Sequence, residues 1–197
     1  MCKAANIIIT EKPDWVSWDD IKQCLVDAHA VNRAKGIETS LYKWPTDKIQ
    51  QSIEPYGVML VALDNGKVVG TAALRVKHSK RWFAKGRYAY LCFWAVLPEY
   101  NGLGIHTELV RKSEEIAKQR NYSVFVFDTN EHNKKVINKS RANGYRYVAY
   151  YRPNNTDHYN VIMAKWPNAC PYSKAYCKAR FCISWLKVRL SACFNRK

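Results

Sequence analysis

Acidic residues are scarce in this chain of 197 residues, where 16 Asp and Glu stand against 32 Lys and Arg for a formal net charge of +16. A surplus of this sign attracts polyanions such as nucleic acid, anionic lipid or a phosphorylated ligand. No apolar run approaches the roughly 18 residues that a membrane-spanning helix needs. The first residues also lack the apolar core of a signal peptide. We therefore expect a cytoplasmic protein.

The seven cysteines form no CxxC pair, and their odd number does not fit a complete disulfide framework. Free thiols in a reducing compartment fit this pattern better. Cysteines crowd the C-terminal segment, but no histidine accompanies them there, and their spacing does not recur as the spacing of zinc ligands does. The cysteines of that segment are Cys170, Cys177, Cys182 and Cys193. No metal site is predicted.

Composition and periodicity indicate a folded α+β domain. The 48% of hydrophobic residues and 24% of charged residues exclude wholesale disorder. Apolar alternation predicts strands over residues 6–10, 57–63, 67–76, 88–97, 122–127, 145–152 and 158–166, and a period near 3.6 predicts helices over 17–36, 46–53, 105–120 and 132–142. We expect a mixed central β-sheet of about seven strands flanked by about four helices.

A glycine-rich turn between the fourth strand and the third helix predicts an anion site. The strand ends at Pro98, and the turn from Glu99 to Gly104 leads into the helix. Glycines let backbone N–H groups approach a ligand, and the helix start adds unpaired donors and its positive dipole end. A strand-to-helix turn holds two glycines for steric reasons as well, so this spacing alone does not identify the ligand.

Two motifs together resemble the signatures of the GNAT family of acetyl-CoA-dependent N-acetyltransferases. The first motif is Val96-Leu97-Pro98 followed by Asn101-Gly102-Leu103-Gly104-Ile105-His106, and the second is Asn133, Val136, Gly144 and Tyr145. The resemblance covers residues 88–166 well, is looser before them and is absent from the last thirty or so residues. It implies the acyl-CoA N-acyltransferase fold and acetyl-CoA as co-substrate.

The resemblance also implies how acetyl-CoA binds. The cofactor lies between the fourth and fifth strands, where the backbone from Trp94 to Val96 pairs with pantetheine and polarises the thioester. The N–H groups of the turn, Gly102, Leu103, Gly104, Ile105 and His106, receive the diphosphate. Asn133 bonds the pantetheine arm, or is only a polar helix start.

Three departures from the family pattern bear on binding and mechanism. Asn101 replaces the usual Gln or Arg, which weakens one contact to the diphosphate. His106 replaces a small residue at the helix start, where its ring either obstructs the phosphate or donates to it. Ser140 stands where many members carry the tyrosine that protonates the leaving thiolate.

The catalytic groups are less well defined by the sequence. An alkylamine must lose a proton before attack, since its pKa is about 10.4. Asp128 and Glu131 are candidate bases, although Asp128 equally suits a helix cap. Ser140 is the candidate acid, and a small residue making room for the cofactor is the stronger interpretation.

The resemblance places the acceptor site along the first two helices and the loop between the last two strands. That region holds Trp44, Asp157 and His158, together with Tyr42 and Asp47. Aromatic residues with a carboxylate suit the amine of an amino sugar or amino acid, and they suit core packing equally well.

Residues 167–197 form a basic extension beyond a domain of residues 1–166. Apolar residues recur there at helical spacing, and the stretch from Lys165 to Lys197 contains eight Lys or Arg and no acid. We expect a helix docked on the domain or on a second subunit of a homodimer; an interfacial helix on an anionic membrane is the alternative.

Three functions are consistent with these features. The first is acetyl transfer from acetyl-CoA to a small primary amine. The second is aminoacyl transfer on the same fold, for which the basic surface suits tRNA. The third is a non-catalytic module whose basic tail binds membrane or nucleic acid. The glycine turn favours the first, because it suits a diphosphate.

Overall fold

The computed structural model describes residues 6–34, 36, 43–154 and 156–194. Their strands form a mixed seven-stranded sheet in the order β1-β2-β3-β4-β5-β7-β6. Among these residues, four α-helices lie between the strands in sequence, and a fifth follows the last strand. The predicted fold class and the C-terminal helix are both confirmed. Tyr42, one of the residues expected near the acceptor, lies outside the described residues.

The elements follow the predicted order with shifted ends. The strands are β1 (Ile7–Glu11), β2 (Val58–Asp64), β3 (Lys67–Arg81), β4 (Ala84–Val96), β5 (Phe125–Asn130), β6 (Arg146–Tyr151) and β7 (Asn160–Lys165), and the helices are α1 (Trp18–Ala34), α2 (Thr46–Ile53), α3 (Ile105–Gln119), α4 (Lys134–Ala142) and α5 (Lys174–Phe194). A short 3-10 helix, Pro98–Tyr100, precedes α3.

The chain divides into two compact units. The first unit contains Met1–Lys77 and Ala89–Asn121, and the second contains His78–Tyr88 and Tyr122–Lys197. The β3–β4 hairpin contributes to both, since its tip belongs to the second unit. The expected division at residue 166 stays a prediction.

Local sequence signals account for most of the first unit. The Ser17 hydroxyl accepts from the Asp20 N–H at 3.0 Å, and the Asp20 carboxylate accepts from the Ser17 N–H at 3.3 Å, which forms a capping box before α1. Asn65 and Gly66 have φ of 48° and 82°, the left-handed pair that joins β2 and β3 tightly. The buried side chains of β2 and β3 form much of this unit's core.

The β3–β4 hairpin is longer than predicted. The third predicted strand ends at residue 76 and the fourth begins at residue 88, because the stretch between them is rich in lysine and arginine. In the structure the strands continue to Arg81 and resume at Ala84. Aromatic rings contact basic side chains on these two strands. The Lys77 ammonium, for example, lies 3.3 Å from the Tyr90 ring centroid.

In the second unit, helix α5 covers the edge strand β6. The Tyr150 N–H donates to the Ser184 hydroxyl at 2.9 Å, and that hydroxyl donates to the Tyr150 carbonyl at 2.8 Å. The Phe181 ring packs on the Tyr147 ring with centroids 4.9 Å apart. An edge strand otherwise presents unpaired backbone groups to solvent, so α5 protects this edge.

Candidate functional site

The glycine turn opens the N-terminus of α3 toward solvent. Gly102 and Gly104 have φ of 92° and 79°, a left-handed conformation that glycine adopts without strain. Gly104 is the N-cap residue, and no side chain caps the helix. A Cβ atom added at either glycine would meet no heavy atom within 4 Å. The helix start thus combines exposed glycines with N–H groups that no side chain caps, features that anion sites at helix N-termini share.

Close packing fixes where this helix start lies. A Cβ atom on Gly70 in β3 would come within 3.1 Å of the Ala95 carbonyl and 3.2 Å of the Ile105 side chain. Gly70 thus lets α3 and β4 approach β3, which places the turn at the end of β4. Ile105 itself is buried, whereas Asn101 and Leu103 are exposed.

The His106 ring packs against the Trp94 ring. The two centroids are 5.7 Å apart at an interplanar angle of 75°, an edge-to-face contact. A Cβ atom added at Gly102 or Gly104 would not come within 4 Å of the imidazole. Whether the ring obstructs a phosphate or donates to it stays a prediction.

Strand β4 changes its conformation beside the predicted thioester position. Phe93 has φ of 54°, which is rare for a bulky residue and interrupts regular strand geometry. The Thr71 hydroxyl donates to the Phe93 carbonyl at 2.7 Å, so this buried peptide group is held by a side chain. Trp94 and Val96 follow on the same strand, and both are half-buried.

His29 of α1 was not recognised from the sequence. It is half-buried, its pKa is lowered by burial and by the nearby Arg33, and a hydrogen bond with the Trp94 backbone opposes that shift. The imidazole is therefore held in its neutral form beside β4. The sequence did contain a signal for its position: Ile21, Leu25 and His29 are spaced four residues apart, which places them on one face of α1.

Trp44 lies in a cluster of aromatic and basic side chains in the first unit. Its ring meets the Phe93 ring edge-on, with centroids 6.1 Å apart. The Lys48 ammonium is 4.6 Å from the Trp44 ring centroid, and the Arg75 guanidinium is 6.0 Å from it. The predicted acceptor residue thus has a cationic environment next to the irregular part of β4.

Asn133 serves as the N-cap of α4. Its side-chain oxygen accepts from the Val136 N–H at 3.4 Å, and its amide donates to the Thr129 hydroxyl at 3.3 Å. The helix-start interpretation of Asn133 therefore has direct support, and its contact with pantetheine stays a prediction. Ser140 is 8% exposed on the same helix, as a small residue in a packed position would be.

The two acidic candidates already have partners in the second unit. Asp128 lies inside β5 rather than after it, and its carboxylate accepts from the Tyr151 hydroxyl at 2.7 Å and the Asn160 amide at 2.6 Å. Glu131 accepts from the Tyr150 hydroxyl at 2.7 Å and from Arg189 at 2.9 Å. Side chains of β6, β7 and α5 thus donate hydrogen bonds to these two carboxylates.

These carboxylates also suppress ionisation of the tyrosines. The pKa of Tyr150 is raised by burial and by Glu131, and the pKa of Tyr151 is raised by burial and by Asp128. Both phenols stay protonated donors at neutral pH.

The remaining predicted residues lie in the β6–β7 loop. Asp157 is fully exposed at its side chain and accepts from Arg152 at 2.8 Å, whereas His158 is half-buried. Both belong to the second unit, while Trp44, Trp94, Val96 and the glycine turn belong to the first.

Among the described residues, no group of three or more His, Cys, Asp or Glu side chains is arranged to hold a metal ion. In the same part of the chain, no helix is long and apolar enough to cross a bilayer. The described cysteines that carry free thiols are Cys24, Cys92, Cys170, Cys177 and Cys182. Burial raises the pKa of Cys24 to about 12, so this thiol is not a nucleophile at neutral pH.

Comparison with known proteins places this architecture in a family. The sequence pattern of the Acetyltransferase (GNAT) family matches residues 18–145. The chain is also similar to N-alpha-acetyltransferase 30 of Schizosaccharomyces pombe, with 30% identity over 111 residues, which cover 55% of this chain and 71% of that protein.

Solved structures share the fold at low sequence identity. An acetyltransferase from Streptococcus agalactiae has a TM-score of 0.62 at 18% identity, over 81% of this chain and 98% of that one. The ribosomal-protein-S18-alanine N-acetyltransferase of Escherichia coli gives 0.61 at 15% identity, over 81% and 93%. A GNAT acetyltransferase from Elizabethkingia anophelis with acetyl-CoA bound gives 0.58 at 16%, over 82% and 98%. The match over residues 18–145 shows that this chain belongs to the GNAT acetyltransferase family.

Proposed function

We propose that this protein transfers an acetyl group from acetyl-CoA to the primary amine of a small molecule. The observation that carries the proposal is the uncapped start of α3, which follows two left-handed glycines with open space at their Cβ positions. Membership of the family and the acetyl-CoA bound to one structural neighbour support the choice of donor.

In this proposal the donor is held mainly by backbone. The N–H groups from Gly102 to His106 receive the diphosphate, and the exposed Asn101 adds a side-chain contact. The backbone of β4 from Trp94 to Val96 pairs with pantetheine and directs an N–H at the thioester carbonyl. An oriented donor of this kind typically stabilises an oxyanion by about 3–4 kcal/mol. Asn133 is the proposed further contact to pantetheine.

The transfer itself forms a C–N bond and breaks the C–S bond of the thioester. The attacking amine loses one proton, and the departing thiolate gains one. His29 is our candidate for receiving the amine proton, because it lies beside the Trp94 backbone in its neutral form. Asp128 stays the alternative base, although two hydrogen bonds already engage its carboxylate. Ser140 stays the candidate acid, with solvent as the competing proton source.

The acceptor is proposed to contact Trp44, with Asp157 and His158 as further candidates. An amino sugar or an amino acid fits aromatic and polar side chains of this kind. A specific observation favours a second acceptor: the curated relative is an N-alpha-acetyltransferase, which suggests the α-amine of a peptide. An α-amino group has a pKa of about 7.7–8.0 and needs less help from a base than an alkylamine.

The test is a screen of amines with detection of the free thiol of CoA. Amino sugars, amino acids and peptides with free N-termini are compared with the same peptides carrying a blocked N-terminus. Turnover of small amines supports the proposal, and turnover confined to free N-terminal peptides assigns the second acceptor. Acetyl-CoA binding without turnover of any amine would favour the non-catalytic module, and transfer from a charged tRNA would favour the aminoacyl alternative.

A further inference from the structure

Helix α5 has two apolar sides, and one of them packs against β6 within the second unit. Cys177, Phe181 and Ser184 face β6, where Cys177 is 2% exposed and Ser184 bonds the Tyr150 backbone. The other side carries a stripe of residues with alternating spacings of three and four, which places them on one line along a helix. This exposed stripe consists of Tyr176, Ala179, Ile183, Leu186 and Leu190. At its start the Tyr176 ring also contacts the Trp82 and Tyr172 rings, so the uncovered part begins at Ala179.

The exposed stripe is continuous rather than a scatter of single apolar residues. Ile183, Leu186 and Leu190 are 46%, 49% and 55% exposed. Isolated exposed apolar side chains are ordinary, but a row of them on one helix face marks a surface that another apolar medium covers.

A basic cleft adjoins the stripe. It has a volume of about 480 Å³ and receives Lys80 and Arg81 from the β3–β4 hairpin and Arg180 and Lys187 from α5, with no acidic residue among those that line it. Trp82 and Phe83 contribute apolar walls. Ile183 lines the cleft and also belongs to the stripe, so cationic and apolar surfaces meet along α5.

We propose that α5 docks this protein on the surface of an anionic phospholipid membrane. The stripe enters the boundary between headgroups and acyl chains, and the basic cleft receives a phosphate headgroup. An amphipathic helix with lysine and arginine beside its apolar face binds membranes in this way. Membrane binding is a role separate from acetyl transfer, and it does not depend on which acceptor the protein uses.

Charge decides between a membrane and a second copy of the chain. The spacing of the stripe would also suit a helix pair between two copies. Each copy, however, would bring the cleft cations and a segment, Lys165 to Lys197, that holds eight Lys or Arg and no acid. Like charges of this density oppose pairing, whereas an anionic bilayer neutralises them.

The test is co-sedimentation of the full chain with phosphatidylcholine vesicles that contain or lack phosphatidylglycerol. We expect binding only to the anionic vesicles, and we expect added salt to weaken it by screening the cleft charges. Equal binding to both kinds of vesicle, or binding to neither, would overturn the proposal.

Matched variants separate the two parts of the surface. Ile183→Ser removes apolar contact from the stripe, and Ile8→Ser is its control on β1, where Ile8 is 57% exposed. Lys187→Glu reverses a cleft charge, and Lys118→Glu is its control on the exposed side of α3. Each α5 variant should weaken vesicle binding roughly tenfold, and each control should change it by less than about twofold.

Other occupants give distinct outcomes, and each contradicts the proposal. A dimer in solution that Ile183→Ser dissociates would assign the stripe to a second copy. Glycerol phosphate that binds the cleft in a Lys187-dependent manner, without vesicle binding, would assign the cleft to a free phosphate ester. Vesicle binding that is unchanged in both α5 variants would place the membrane contact elsewhere. Circular dichroism of every variant shows that a loss of binding is not a loss of fold.

Discussion

His29 couples the folding of the first unit to pH. Burial and Arg33 lower its pKa below the ordinary 6.5, so the unfolded chain takes up a proton at a higher pH than the native one. Its neutral form thus contributes stability that is present above pH 6.5 and is lost as the pH falls toward the folded pKa.

We expect His29→Gln to flatten the dependence of the free energy of unfolding on pH below about 6.5. Urea titrations at a series of pH values measure this, with His78→Gln on the exposed part of the β3–β4 hairpin as the control. A wild-type slope retained in His29→Gln, and lost in the control, would contradict the assignment.

The same substitution tests the candidate base. If His29 receives the amine proton, His29→Gln should lower kcat/KM by about 10²–10⁴-fold and remove the acidic limb of its pH profile. Asp128→Asn is the parallel variant. An acidic limb lost in Asp128→Asn and retained in His29→Gln would transfer the role to Asp128.

Ser140 is expected to matter little for turnover. Its hydroxyl has too high a pKa to be a good proton donor, and its 8% exposure fits a small residue packed within α4. Ser140→Ala should therefore reduce kcat by less than about tenfold, whereas loss of a true general acid costs about 10²–10⁴-fold. A thousandfold loss in steady-state assays, with the fold preserved, would show that Ser140 is the acid.

At the scale of elements, one serine of α5 bonds two backbone groups of β6, beside the ring contact of Phe181 with Tyr147. Ser184 bonds both the N–H and the carbonyl of Tyr150. Ser184→Ala should reduce the free energy of unfolding by about 1–3 kcal/mol, since both groups lose their partner.

Ser191→Ala is the matched control on the same helix, because Ser191 is exposed and donates only to the Lys187 carbonyl of its own turn. Chemical denaturation of both variants measures the difference. An equal free energy of unfolding in the two variants would show that water replaces the Ser184 hydroxyl without loss of stability.

The elements that depend on local sequence could be predicted closely. The predicted helix over 46–53 agrees with α2, and the start of α1 and the turn between β2 and β3 lie where the predicted ranges put them, at the Ser17 capping box and the left-handed pair Asn65 and Gly66. These features are set by neighbouring residues, so the pattern alone contains them.

Features that depend on tertiary partners could not be predicted. Phe93 adopts a positive φ within an apolar strand, and the bond from Thr71 that accompanies it spans 22 residues. Ser184 lies in a helix that periodicity predicts, but its partner is on β6. Asp128 was expected after β5 and lies inside it, where Tyr151 of β6 and Asn160 of β7 donate to its carboxylate, although carboxylates are uncommon in strands.

At the scale of the whole molecule, the two proposed binding surfaces differ in charge. We propose that the glycine turn binds a diphosphate through backbone groups that carry no formal charge. We propose that the cations of the hairpin and α5 bind a lipid surface through charge. Salt should therefore weaken vesicle binding far more than acetyl-CoA binding, which parallel titrations in rising salt would show.

The central claim is that the open helix start at Gly104 binds the diphosphate of acetyl-CoA. Isothermal titration of the wild type and of Gly104→Trp tests it, with Gly66→Trp as the control. Gly66 has a φ of 82° and open space like Gly104, so both variants incur a similar backbone strain. We expect saturable binding in the wild type and in Gly66→Trp, and at least about a hundredfold weaker binding in Gly104→Trp. No heat with any CoA species, or undiminished affinity in Gly104→Trp, would contradict the account.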